Sequence, residues 1–171
     1  HPTLRRQRQM CIRDSNKFNN INFPKRKILF TNLIENLRYG ENPHQIGAFY
    51  SQNMKNKLEQ LHGKTLSYNN YSDIFAALTI SKSLPKNTGT AIVKHGNPCG
   101  VSALKNNLDS YKSALESDPI SAFGGIISCN YKITQKLALI LNKIFLEVIV
   151  ADGFEKKALK ILKSKKNLRL I

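Results

Sequence analysis

Acidic residues are scarce in this sequence: 171 residues hold 11 Asp and Glu against 27 Lys and Arg, a formal net charge of +16. Cysteine is scarcer. Cys11, Cys99 and Cys129 are too few and too scattered for a disulfide framework, and a reducing cytosol suits them best. No apolar run approaches the ~18 residues of a membrane span. Nor does the chain open with the charged, apolar and small-residue succession of a secretory signal. A cytoplasmic protein with no membrane partner is therefore expected. What is present is 41% hydrophobic residues, enough for one core of ordinary size, so one domain is expected at this length.

The charge is uneven. Residues 1–30 carry +7, residues 151–171 carry +5, and the 120 residues between carry only +4. A basic chain invites a nucleic-acid reading, because neutralising phosphates drives non-specific binding. Against it, no RNA-binding aromatic motif, no zinc finger and no aromatics interleaved with the basic clusters are found. A solvated basic surface is the better reading. A basic nucleic-acid-binding module without catalysis is kept as the alternative.

Residues 1–15, HPTLRRQRQMCIRDS, show no period of 2 or 3.6 and read as a leader foreign to the fold, with a linker over 16–28. The abrupt start at His1 and the strand-like NLRLI at the end suggest a fragment. From residue 27 onward, strand and helix patterns alternate. Strands are expected at Lys27–Ile34, Gly47–Tyr50, Thr90–Lys94 (TAIVK, apolar enough to be buried on both faces), Phe123–Cys129, Glu147–Ala151 and Asn167–Ile171. Helices are expected after Ser72 as N-cap (with Ile74, Leu78 and Ser81 on one face), at Leu108–Glu116, at Thr134–Leu146 and at Glu155–Lys163. This alternation predicts a layered α/β domain, its sheet mostly parallel or mixed and flanked by helices.

Ligands of such sheets gather beyond the carboxyl ends of the strands. That rule points first to IVKHGNPCG, where a strand delivers Lys94 and His95 together before a loop of Gly96, Asn97, Pro98 and Gly100. A cation close to an imidazole favours the neutral ring, the form that accepts a proton. The second constellation is LRYGENPHQ, in which Arg38 offers a fork of donors for phosphate or carboxylate and Tyr39 an aromatic face. The third is DPISAFGGI, where Gly124 and Gly125 permit close backbone approach, with amides expected to be available to oxygens. No phosphate-loop signature occurs. Pro98-Cys99 echoes half of a zinc-deaminase signature, but the partner residues are missing, so no metal is expected and Cys99 reads as a small buried thiol. His44 and His62 have no evident partners. The stretch KKALKILKSKK reads as an amphipathic helix with a solvated face.

Together LRYGENPHQ, GKTLSYNN, IVKHGNPCGVSA, DPISAFGGIIS and EVIVADGFEKKALKILKSKKNLRLI are far more specific than any one alone. In order and content they resemble the bifunctional purine-biosynthesis family that joins an IMP cyclohydrolase to an AICAR formyltransferase. The resemblance runs over 29–171 and falls on the opening part of the formyltransferase region. It implies a cytidine-deaminase-like fold without zinc, and transfer of a formyl group from 10-formyltetrahydrofolate to aminoimidazole carboxamide ribonucleotide (AICAR). It implies His95 as proton acceptor, Lys94 as stabiliser of the transition state, and Arg38, Tyr39, Asn97, Gly124 and Glu147 as nucleotide contacts. Family members are homodimers, and most folate contacts lie further along, so this chain alone is expected to be inactive. Two departures stand out: Asp152 where the family usually has Pro, and Ile74-Phe75 where it has a small and an acidic residue.

Overall fold

The computed structural model describes residues 28, 30–52 and 58–171. The chain divides into two units, His1–Thr31 and Asn32–Ile171. The leader and almost all of the linker lie outside the described residues, as does Cys11. The architecture below is that of Asn32–Ile171.

Two short strands, β1 (Asn32–Asn36) and β2 (Ala48–Ser51), pair antiparallel. The strand expected over Lys27–Ile34 lies partly outside the described residues. Helix α1 (Tyr68–Ser83) follows, then β3 (Gly89–Lys94), β4 (Asn97–Ala103), α2 (Asn107–Ser117), β5 (Ile126–Ile133), α3 (Gln135–Leu141), β6 (Val148–Phe154), α4 (Lys156–Leu162) and β7 (Arg169–Leu170). The larger sheet runs in the order β4-β3-β5-β6-β7. β3 is antiparallel to both neighbours, while β5, β6 and β7 are mutually parallel. The sheet is thus mixed, the second of the two arrangements expected, and not mostly parallel. The reason is local. Asn97, expected in a loop, pairs with Lys94 across two residues, a connection open only to antiparallel strands. The segment after His95 is therefore strand β4, not a loop. Helices α3 and α4 are the crossovers that keep β5, β6 and β7 parallel.

Period-2 alternation divides the core between the two faces of the sheet. Ile92, Ile127, Ile149 and Leu170 face α2, α3 and α4, in a cluster completed by Tyr111, Tyr131, Leu137, Leu141 and Leu162. Val93, Ile126, Val148 and Val150 face α1 through Tyr71, Ile74 and Ala77, with Leu37 and Phe49 against them. Each such aliphatic side chain, fully buried, contributes roughly 1.5–3 kcal/mol. β3 is buried along Gly89–Val93, as its uninterrupted apolar run requires.

α1 begins five residues earlier than expected. Ser67, not Ser72, is the N-cap: its hydroxyl accepts from the Asn70 amide nitrogen, and Asn70 Oδ1 accepts from the Ser67 amide at 3.2 Å, closing a capping box. Ser72 lies inside the helix on its exposed side. The helix expected over Thr134–Leu146 stops at Leu141, and β5 starts at Ile126 rather than Phe123. α4 buries Ala158 and Leu162 and turns its lysines to solvent.

Candidate functional site

Register aligns the site. Val93 pairs with Ile126, Ile126 with Val148, and Val148 with Arg169. The exit of β3 therefore stands in one row with the entries of β5, β6 and β7, neighbouring strands lying about 4.8 Å apart. Lys94 and His95, Gly124 and Gly125, Glu147 and Arg169 all fall along this edge. The carboxyl-end rule located it only at β3. For the three parallel strands the edge is the amino end, because β3 runs against them.

His95 and Gly96 form the two-residue turn between β3 and β4. Both have positive φ, 53° and 75°, as a type I′ turn requires. Gly96 suits this at no steric cost, whereas His95 is a side-chain-bearing residue in the left-handed region. The turn keeps the imidazole exposed at the edge. Asn97 closes it by donating from Nδ2 to the His95 carbonyl at 3.1 Å. The Gly96 amide donates to Asp73 Oδ1 of α1 at 2.6 Å. Lys94 reaches along the edge, its Nζ donating to the Phe123 carbonyl at 2.8 Å.

Beyond Gly124 the edge carries a polar cluster. Glu147 Oε2 accepts from Asn70 Nδ2 at 3.0 Å and lies 3.7 Å from the Arg169 guanidinium. Arg169 is buried and also donates through Nε to the Lys64 carbonyl at 3.2 Å. Burial draws its guanidinium below the usual range, and Glu147 opposes that. Arg38 is exposed. It donates from one terminal nitrogen to the Tyr39 phenol at 3.0 Å and lies 4.7 Å from the centre of that ring. These contacts, with a hydroxyl bond from Ser67, hold the Tyr39 phenol below its ordinary range. The Tyr68 amide bonds the Tyr39 carbonyl at 3.4 Å, so the start of α1 fixes this segment against the sheet.

All seven residues singled out from sequence, Arg38, Tyr39, Lys94, His95, Asn97, Gly124 and Glu147, lie on this edge or in the cluster that continues it. Three expectations are corrected. The glycine amides are not free: Gly124 donates to the Phe145 carbonyl at 2.9 Å and Gly125 to the Ala122 carbonyl at 3.0 Å. Cys99 is half-buried rather than buried. His62 has partners, its Nε2 lying 3.2 Å from the Lys165 carbonyl and its backbone bridging Leu170. His44 is exposed in its turn. Asn70, Asp73 and Arg169 were missed. The only signals were the Asn70 of SYNN and the Arg169 of NLRLI, neither of which announces a partner 77 or 22 positions away. Among the described residues no three His, Cys, Asp or Glu side chains converge as a metal would need, and no helix is long and apolar enough to cross a membrane.

A mixed α/β domain with a cationic, imidazole-bearing sheet edge is the class of protein so far defined. The model of the AICARFT/IMPCHase bienzyme family matches residues 8–171, and the chain belongs to that family. It is 47% identical over 154 residues to the bifunctional purine biosynthesis protein PurH of Acetivibrio thermocellus, covering 87% of this chain and 30% of the relative. PurH of Thermoanaerobacter sp. (strain X514) is 46% identical over 157 residues, covering 90% and 31%. PurH of Bacillus cytotoxicus is 49% identical over 142 residues, covering 80% and 28%. The chain thus spans about 30% of the length of the curated relatives it matches. Among solved structures, the apo dCMP deaminase of cyanophage S-TIM5 aligns with a TM-score of 0.43 at 12% identity, over 59% of this chain and 95% of that one.

Proposed function

We propose that this chain forms the nucleotide-binding and proton-accepting part of an AICAR formyltransferase, the transferase half of the bifunctional family to which it belongs. The observation that carries this is the alignment of an imidazole, an ammonium, an Arg–Tyr pair and a carboxylate along one sheet edge. In this reading His95 accepts the proton that the 5-amino group of AICAR loses as its nitrogen attacks the formyl carbon of 10-formyltetrahydrofolate. An aromatic amine is a weak nucleophile, so a base at that moment lowers the barrier. Lys94 offsets the negative charge that gathers on the formyl oxygen, with the hydrogens not given to Phe123 O. The new nitrogen–carbon bond forms, the bond to folate N10 breaks, and N10 takes up a proton. Arg38 holds the nucleotide phosphate and Tyr39 packs against the ligand. Glu147, gripped through one oxygen by Asn70 and Arg169, accepts from ribose hydroxyls or the carboxamide. Asn97 and Gly124 line the same edge. The folate co-substrate, the homodimer and the cytoplasm belong to this proposal too.

Titration calorimetry of the 171-residue chain with AICAR tests the binding half. Saturable binding is expected, weakened about tenfold or more in Arg38→Ala because a charge-assisted contact is lost. Equal affinity in wild type and Arg38→Ala would sink the assignment.

A further inference from the structure

We propose that Asp73 is a positioning residue for His95: its carboxylate, reaching from the second turn of α1, holds the His95–Gly96 turn in the form that presents the imidazole at the edge. The catalytic part of this inference rests on the formyl-transfer reading above. Its structural part stands on three observations.

The turn is strained where it matters. His95 sits at φ 53°, a region that costs energy for any residue carrying a Cβ, and such geometry persists only where surroundings impose it. Packing does not impose it. A Cβ built on Gly96 would meet nothing within 4 Å, and His95, Gly96, Asn97 and Pro98 are all exposed. Lys94 is turned away, bonded to the Phe123 carbonyl. The pairing of Lys94 with Asn97 closes the hairpin, and two side-chain contacts add to it. Asn97 Nδ2 to the His95 carbonyl lies within the hairpin itself. The bond from the Gly96 amide to Asp73 Oδ1, at 2.6 Å, is the one that ties the turn to another element. An amide donating to a carboxylate is among the stronger hydrogen bonds a surface loop can make.

The placement of Asp73 on α1 adds to this. Asn70 and Asp73 are three residues apart and share a helix face. Asn70 reaches Glu147 at the entry of β6, and Asp73 reaches Gly96 at the exit of β3. One helix face thus fixes the base-bearing turn and the ligand-facing carboxylate relative to each other. α1 is itself anchored by the buried Tyr71, Ile74 and Ala77.

Two measurements test this. The first compares Asp73→Ala and Asp73→Asn in the full 171-residue chain by amide NMR and hydrogen exchange. In Asp73→Ala the Gly96 amide proton should move upfield toward the position of a water-bonded amide and exchange about tenfold faster or more, while amides of β3 and β5 keep their shifts. Asp73→Asn keeps an acceptor oxygen and should retain most of the protection. The second uses formyl transfer by an enzyme in which this chain replaces the matching 30% of Acetivibrio thermocellus PurH. There Asp73→Ala should lower kcat about 10- to 100-fold with KM for AICAR changed less than about twofold, and Asp73→Asn should restore most of kcat. An unmoved Gly96 amide, an Asn variant as poor as Ala, or an unchanged kcat would each overturn the proposal. If His95→Ala transfers formyl normally, the base reading itself falls, an outcome separable from loss of the tie because the Gly96 signal does not depend on activity.

Discussion

Asn70 spends both ends of its carboxamide on joining two distant elements. Its Oδ1 closes the cap of α1 with Ser67, and its Nδ2 donates to Glu147 Oε2 at 3.0 Å, 77 positions away. A helix start and a sheet edge are thereby set by one buried side chain. Asn70→Ala is expected to cost about 1–2 kcal/mol by urea unfolding, from the lost cap and the lost carboxylate partner. A double-mutant cycle with Glu147→Ala should return a coupling of about 0.5 kcal/mol or more. Strict additivity would show that the contact does not link the two.

Two glycines of one hairpin should lose stability to different extents. A Cβ on Gly100 would lie 1.8 Å from the Ala114 carbonyl oxygen, inside α2, so the helix must shift off β4. Gly100→Ala should cost about 3 kcal/mol or prevent folding. Gly96→Ala meets open space and carries only the strain of φ 75°, about 1–2 kcal/mol. Equal losses in denaturant midpoint would contradict the close approach of α2 and β4.

Stability should fall in alkali. Burial pushes the Cys129 thiol from 9.0 up to about 12, and lifts the Tyr111 phenol from 10.0 to about 12. Burial and then Glu35 raise Tyr71 to about 12, and burial raises Tyr131 as well. Between about pH 9 and about pH 12 the folded chain holds protons that the unfolded chain has released, so unfolding becomes more favourable as pH rises. The denaturant midpoint is expected to drop steadily across that window. A flat midpoint would show that these groups are not buried in the fold.

Much of the fold was legible because apolar runs state burial directly. TAIVK of β3 has the short, continuous apolar run of a strand covered on both faces, and the alternation of strand and helix implied the layers. Strand direction was not legible. It turns on His95-Gly96, a two-residue hairpin in which His takes the place usual for Asn or Asp, so the sequence carries no familiar turn signal. The start of α1 was displaced because its capping box uses Asn at the third position instead of Glu or Gln. At the site, Lys94 and His95 were found as a strand terminus, and Arg38 and Tyr39 as chemistry in a turn. Asp73 and Arg169 escaped because their meaning lies in pairing across sequence, which no local pattern encodes.

The central assignment is His95 as the proton acceptor. In the enzyme completed with the Acetivibrio thermocellus sequence, the rate of formyl transfer to AICAR should be measured for wild type and His95→Ala under saturating co-substrates. A fall in kcat of about 10²-fold or more with the fold intact is expected from loss of a general base. Transfer persisting within about tenfold of wild type would contradict the role assigned to this edge.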